Sequence, residues 1–99
     1  MHIIAKRPLT AFTKRHPDAS SSLRAWWKMM TKKQYRSPGE VREDFATASF
    51  LGDELTVFNV AGNKYRLVVH IVYAMGRVFV SGVYTHAEYD RLTKAGLLG

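Results

Sequence analysis

Three consecutive stretches rich in Val, Ile, Phe and Tyr constrain the fold more than any other feature of this chain. They are "ELTVFNV" (54–60), "KYRLVVHIVYA" (64–74) and "RVFVSGVY" (77–84), separated only by "AGN" (61–63) and "MG" (75–76). β-branched and aromatic residues suit a pleated, half-buried surface, and links this short can only turn the chain back on itself. The pattern predicts three strands in an antiparallel meander. Side chains alternate along a strand, so Tyr65, Leu67, Val69 and Ile71 share one face, read here as the core side. Lys64, Arg66, Val68 and His70 then take the other face, and Asn59 points opposite to Phe58 and Val60.

The residues before the meander read differently. "HIIA" (2–5) predicts a short first strand. Pro8 suits the first turn of a helix through Leu9 and Phe12, which Pro17 stops. Asp18 is placed to cap the next helix, in which Leu23, Trp26, Trp27 and Met30 fall at i, i+3, i+4 and i+7. Both tryptophans are therefore read as core. Arg24, Lys28 and Lys32 recur every fourth residue on another face, a solvated row or a surface for phosphates or an acidic partner. "SPGE" (37–40) opens a short helix through Val41 and Phe45, with Ser37 as cap, Pro38 at the first position and Glu40 reaching back in a capping box. Thr85 and Glu88 form a second box that starts a closing helix. The expected order is β-α-α-α-β-β-β-α. This is one α+β domain over residues 1–99, with a small antiparallel sheet (the meander plus the N-terminal strand) and helices packed on one face.

Charge narrows the function. Fifteen Lys and Arg against eight Asp and Glu give +7 and a pI near 10, which favours a polyanion: nucleic acid, an acidic protein or an anionic membrane. The membrane reading needs a basic amphipathic helix not committed to a core, and none is evident. There is no cysteine, hence no disulfide, thiolate nucleophile or sulfur-based zinc site. His2, His16, His70 and His86 lack close metal-ligand spacing, so neither a metal nor another cofactor is expected. "MHIIAKRPL" has too short an apolar run for a signal peptide, and the expected location is the cytoplasm. Lys64 and Arg66, two residues apart on one strand, could clamp a phosphate and its neighbour.

The opening "MHIIAKRPL", the central "VFNVAGNKYRLVV" and the closing "YTHAEYD" together resemble the HigB family of toxins from bacterial type II toxin–antitoxin systems, related in fold to the RelE-type mRNA endonucleases. The resemblance runs from the first residues to about Leu92 and keeps the motif order. It implies an mRNA interferase acting on translated messages at the ribosome and silenced by a helix-turn-helix antitoxin, HigA. One departure is Ala61, where related sequences often carry a second glycine; it bears on the turn.

For such a reaction the ribose 2′-OH is the nucleophile, so the protein must supply a base, an acid and cations for the transition state. The catalytic candidates are His86, Lys64, Arg66 and Tyr89. His86 falls at the first position of the closing helix, where the helix end favours a neutral ring and attracts phosphate. Tyr89, three residues on, could donate a hydrogen bond, stack on a base or anchor the helix. Asp90, four residues on, could orient the ring. Asn59, Arg77, Asp90 and His70 are the RNA-contacting candidates, His70 of second rank. Two rival readings use the same basic face: a non-catalytic RNA or ribosome binder, and a protein-interaction module.

Overall fold

The computed structural model describes residues 1–4, 7–52 and 55–96. The elements are β1 (His2–Ile4), α1 (Arg7–Arg15), a 3₁₀ turn (Pro17–Ala19), α2 (Ser20–Lys32), α3 (Pro38–Asp44), β2 (Ser49–Leu51), β3 (Leu55–Val60), β4 (Tyr65–Val72), β5 (Arg77–Thr85) and α4 (His86–Lys94). Ala5 and Glu54, expected as strand ends, lie outside the described residues.

The meander forms as expected. β3 pairs antiparallel with β4 and β4 with β5. Two additions make it a mixed five-stranded sheet in the order β1-β5-β4-β3-β2. β1 joins β5 in parallel rather than antiparallel. β2, which the sequence did not signal, extends the other edge beside β3. It is three residues long with no fully buried side chain, so it carries no alternation to read.

Tyr65, Leu67, Val69 and Ile71 do enter the main core, with Phe58, Val60, Val78, Val80 and Val83 from the flanking strands. α1, α2 and α3 cover this face. Phe12, Leu23, Trp26, Met30 and Val41 are buried on it, and Trp26 meets Phe58 edge-on at 5.6 Å between ring centroids. Trp27 is half-buried against the same core. α4 behaves differently: its Tyr89 packs on the other face, against a small cluster of Leu55, Val57 and Val68.

Two capping expectations need correction. Asp18 does not cap α2; it sits within the 3₁₀ turn, and the cap position falls to Ala19 without a side-chain bond. Its carboxylate instead takes long-range donors, the Tyr65 hydroxyl at 2.7 Å and the Lys64 ammonium at 3.1 Å. Ser37 does accept from the Glu40 amide, but Glu40 Oε1 reaches past the cap to the Arg36 amide at 2.9 Å. The Thr85–Glu88 box is complete, with the Thr85 amide donating to Glu88 Oε1 at 2.9 Å and the Glu88 amide to Thr85 Oγ1 at 3.2 Å.

A bulge in β5 sets the geometry that follows. Val68 pairs with Gly82 but Val69 pairs with Val80, leaving Ser81 as the extra residue. The bulge shifts the alternation by one. Val78, Val80 and Val83 thereby all reach the core, and Tyr84 is turned to the opposite face.

Candidate active site

Register places three side chains in a row across the second face. Asn59 of β3 lies opposite Arg66 of β4, and Arg66 lies opposite Tyr84 of β5. Residues paired this way are same-face neighbours. Nothing in the strand alternation points to Tyr84, although a glycine inside a strand pattern, as in "VSGVY", is a signal for a bulge. The ring needs that glycine: a Cβ at Gly82 would stand 2.5 Å from Tyr84 Oη and 2.7 Å from Cζ.

α4 starts where β5 ends, so its first residues stand beside this row. The His86 amide donates to the Lys64 carbonyl at 3.1 Å. His86 Nδ1 lies 3.1 Å from Asp90 Oδ2, the i,i+4 relation expected on a helix. Tyr89 is both anchor and neighbour. It packs on the Leu55–Val57–Val68 cluster, and the Arg66 guanidinium carbon sits 5.9 Å from its ring centroid. Arg66 Nη1 donates to the carbonyls of Asn63 at 3.0 Å and Tyr65 at 3.2 Å, which orients the guanidinium.

The structure therefore brings together Arg66, Asn59, Tyr89, His86 and Asp90, and adds Tyr84. It separates the others. Lys64 does not run parallel to Arg66 as alternation predicts, because it lies in the turn before β4. Its ammonium is paired with Asp18, whose carboxyl is held below its ordinary value by the Tyr65 hydroxyl and by Lys64 itself. The expected two-cation clamp is thus not formed, though Lys64 stays at the edge of the site through its carbonyl. His70 shares the face of Arg66 but stands four residues along β4, roughly 13 Å away, between Leu55 and Phe79. Arg77 pairs with Val72 and His2 at the far end of the strands, roughly 20 Å from Arg66.

Glu88 completes the electrostatics. Its carboxyl is held below the usual value by the bond from the Thr85 backbone, with Arg15 and Arg91 adding to the effect. Among the described residues, no group of three or more His, Asp or Glu side chains could hold a metal ion, and no helix is long and apolar enough to cross a membrane.

Fold and site define a class: a small basic α+β domain whose partly open sheet face sets a guanidinium and two tyrosines beside a histidine–carboxylate pair at a helix start. The chain belongs to the HigB toxin family, the RelE-like toxic component of a toxin–antitoxin system, whose sequence profile matches residues 19–92. It is 29% identical over 96 residues to the mRNA interferase HigB of Escherichia coli O6:H1, covering 95% of this chain and 93% of that protein. It is 27% identical over 95 residues to the mRNA interferase toxin HigB of Escherichia coli K12, covering 94% and 91%. The resemblance drawn from the sequence motifs is borne out.

Proposed function

We propose that this protein is an mRNA endoribonuclease that arrests translation by cutting messages through their own 2′-OH, without a metal ion. The observation that carries the reading is the His86–Asp90 pair, set at the capped start of α4 beside Arg66. Membership of a toxin–antitoxin family and the mRNA interferase names of its relatives point the same way.

In this reading the 2′-oxygen attacks the adjacent phosphorus and the bond to the 5′-oxygen breaks, leaving a cyclic phosphate. Asp90 Oδ2, 3.1 Å from His86 Nδ1, orients the ring so that Nε2 takes the 2′-OH proton. Arg66 faces the charge that builds on the phosphoryl oxygens. The departing 5′-oxygen receives its proton from the Tyr89 hydroxyl, beside Arg66. Asn59 positions the strand, and Tyr84 offers a ring for a base. The substrate is a message on the ribosome in the cytoplasm, and the silencing partner is a helix-turn-helix antitoxin.

The test is induced expression of the wild type, His86→Ala and Arg66→Ala, with primer extension on a translated message. New 5′ ends with the wild type, reduced by about 10²–10⁴-fold in His86→Ala, support the nuclease. Growth arrest without new RNA ends would replace it with a non-catalytic binder.

A further inference from the structure

Two consecutive backbone carbonyls hold the candidate active site together. The Lys64 carbonyl accepts the His86 amide at 3.1 Å, and the Tyr65 carbonyl accepts Arg66 Nη1 at 3.2 Å. Tyr65 also pairs across the sheet with Thr85, the residue that caps α4. The histidine and the guanidinium are therefore both referenced to one short piece of chain. Lys64 closes the 61–64 turn and Tyr65 begins β4, so this piece stands at an end of the sheet, where local opening is easiest.

The side chains of the same two residues converge on Asp18, one on each carboxylate oxygen. The Tyr65 hydroxyl donates to Oδ1 at 2.7 Å and the Lys64 ammonium to Oδ2 at 3.1 Å. The Tyr65 ring is also held from the side. It lies edge-on to Phe12 at 5.0 Å between centroids and 5.1 Å from His16, which stacks on Phe12 at 4.5 Å. Asp18 is itself firmly based. In its turn Pro17 fixes φ, the Ala19 amide donates to the His16 carbonyl at 3.0 Å, and Ala19 is fully buried. The two contacts are unequal. The Lys64–Asp18 pair is exposed, and such pairs contribute little. The Tyr65 bond is shorter, partly buried and charge-assisted, hence the stronger. In agreement, the Asp18 carboxyl is held below its ordinary value by the Tyr65 hydroxyl first and by Lys64 second.

We infer that Asp18 is a positioning residue for RNA cleavage: through the Tyr65 hydroxyl it fixes the 64–65 backbone, and with it His86 and Arg66. Its effect on rate rests on the nuclease reading; its effect on structure does not. Tyr65 points into the main core, so its hydroxyl and Asp18 lie on the face away from the Asn59–Arg66–Tyr84 row. Asp18 therefore acts through the sheet and not on the RNA. Without it the tyrosine hydroxyl is left with His16 Nδ1, which at 3.5 Å is at the limit of a hydrogen bond. The ring then loses its tether and the carbonyls of residues 64 and 65 lose their reference. A catalytic group misplaced by about 1 Å can lose about 10²-fold in rate.

The test sets the wild type beside Asp18→Ala, Asp18→Asn, Tyr65→Phe and Lys64→Met. Two quantities are measured: cleavage of a message on purified ribosomes, and amide hydrogen exchange of the free protein by NMR. Asp18→Ala and Tyr65→Phe should each lower kcat by about 10–10²-fold with KM little changed. The double variant should be no worse than either single one. In both, the His86 amide should exchange about tenfold faster or more, while those of Val69 and Ile71 in the middle of β4 keep their protection. Asp18→Asn retains an oxygen for the tyrosine and Lys64→Met retains the carbonyl, so both should stay within about threefold of the wild type. Unchanged kcat and unchanged His86 exchange in Asp18→Ala would overturn the proposal. Faster exchange at every amide alike would also overturn it, making Asp18 a residue of general stability, and a change in KM alone would make it a charge acting on RNA. A wild type that cuts no message, with the His86 amide still released by Asp18→Ala, would sink the nuclease reading and leave the anchoring in place.

Discussion

The backbone N–H of His86 donates to the carbonyl of Lys64 over 3.1 Å, tying the first residue of α4 to the turn that leads into β4. The Thr85 cap holds the same junction from the helix side, so the position of His86 relies on both. Thr85→Ala is expected to cost about 1 kcal/mol of stability, read by urea unfolding. It should also lower RNA cleavage by loosening the turn that carries His86, and Thr85→Ser should restore both.

In the proposed mechanism Asp90 acts through His86 rather than on RNA directly. Their side chains are 56% and 51% exposed, so the pair adds little to stability. Asp90→Asn should leave the urea midpoint nearly unchanged and lower kcat by up to about 10⁴-fold, with KM little affected. A change in KM alone would make Asp90 an RNA contact instead.

Much of the sheet was legible because strand alternation and capping are local. The 65–71 core face, the turns and the Thr85–Glu88 box follow from neighbours in the chain. What was missed depended on distant partners. Asp18 prefers a hydroxyl and an ammonium 47 and 46 residues away to the helix start beside it. Lys64 lies one position outside the strand, so alternation did not apply to it. The single residue Ser81 reverses the facing of Tyr84, and only the paired strand reveals the shift.

Ala61 has φ 54°, a left-handed conformation that costs an L-residue roughly 1–2 kcal/mol. Glycine removes that strain but loses more chain entropy on folding and forgoes the packing of the methyl on the core. Ala61→Gly should therefore raise stability by a net amount below about 1 kcal/mol. The check is a higher urea midpoint at unchanged slope, with cleavage activity retained.

Among the described residues, three carboxyls are held below their ordinary values. Asp44 is held by Lys33 and then Tyr35, both at 2.7 Å. Asp18 is held by Tyr65 and then Lys64, and Glu88 by the Thr85 backbone. A depressed folded value contributes stability that is complete above the unfolded value and is lost as pH falls through the folded one. The protein should thus lose stability progressively below the ordinary Asp value of 3.8. Asp44→Asn should be less stable than the wild type at neutral pH, and the two unfolding curves should converge in acid. A gap that stays constant with pH would mean the carboxylate charge contributes nothing.

Gly82 and Tyr84 give the sharpest test of the second face. A methyl at position 82 would meet Tyr84 Oη at 2.5 Å, closer than any ordinary contact, so the ring must move or the strand must yield. Gly82→Ala is expected to cost about 1–3 kcal/mol and to reduce cleavage by displacing the tyrosine from beside Arg66. In a Tyr84→Ala background the obstacle is gone, and the same substitution should cost almost nothing. The difference is a coupling of at least about 1 kcal/mol in a double-mutant cycle. Cleavage in Gly82→Ala should resemble that of Tyr84→Ala, because both remove the ring from the same place. Equal costs in the two backgrounds would show that the backbone of the bulge, and not the tyrosine lying over it, is what requires a glycine.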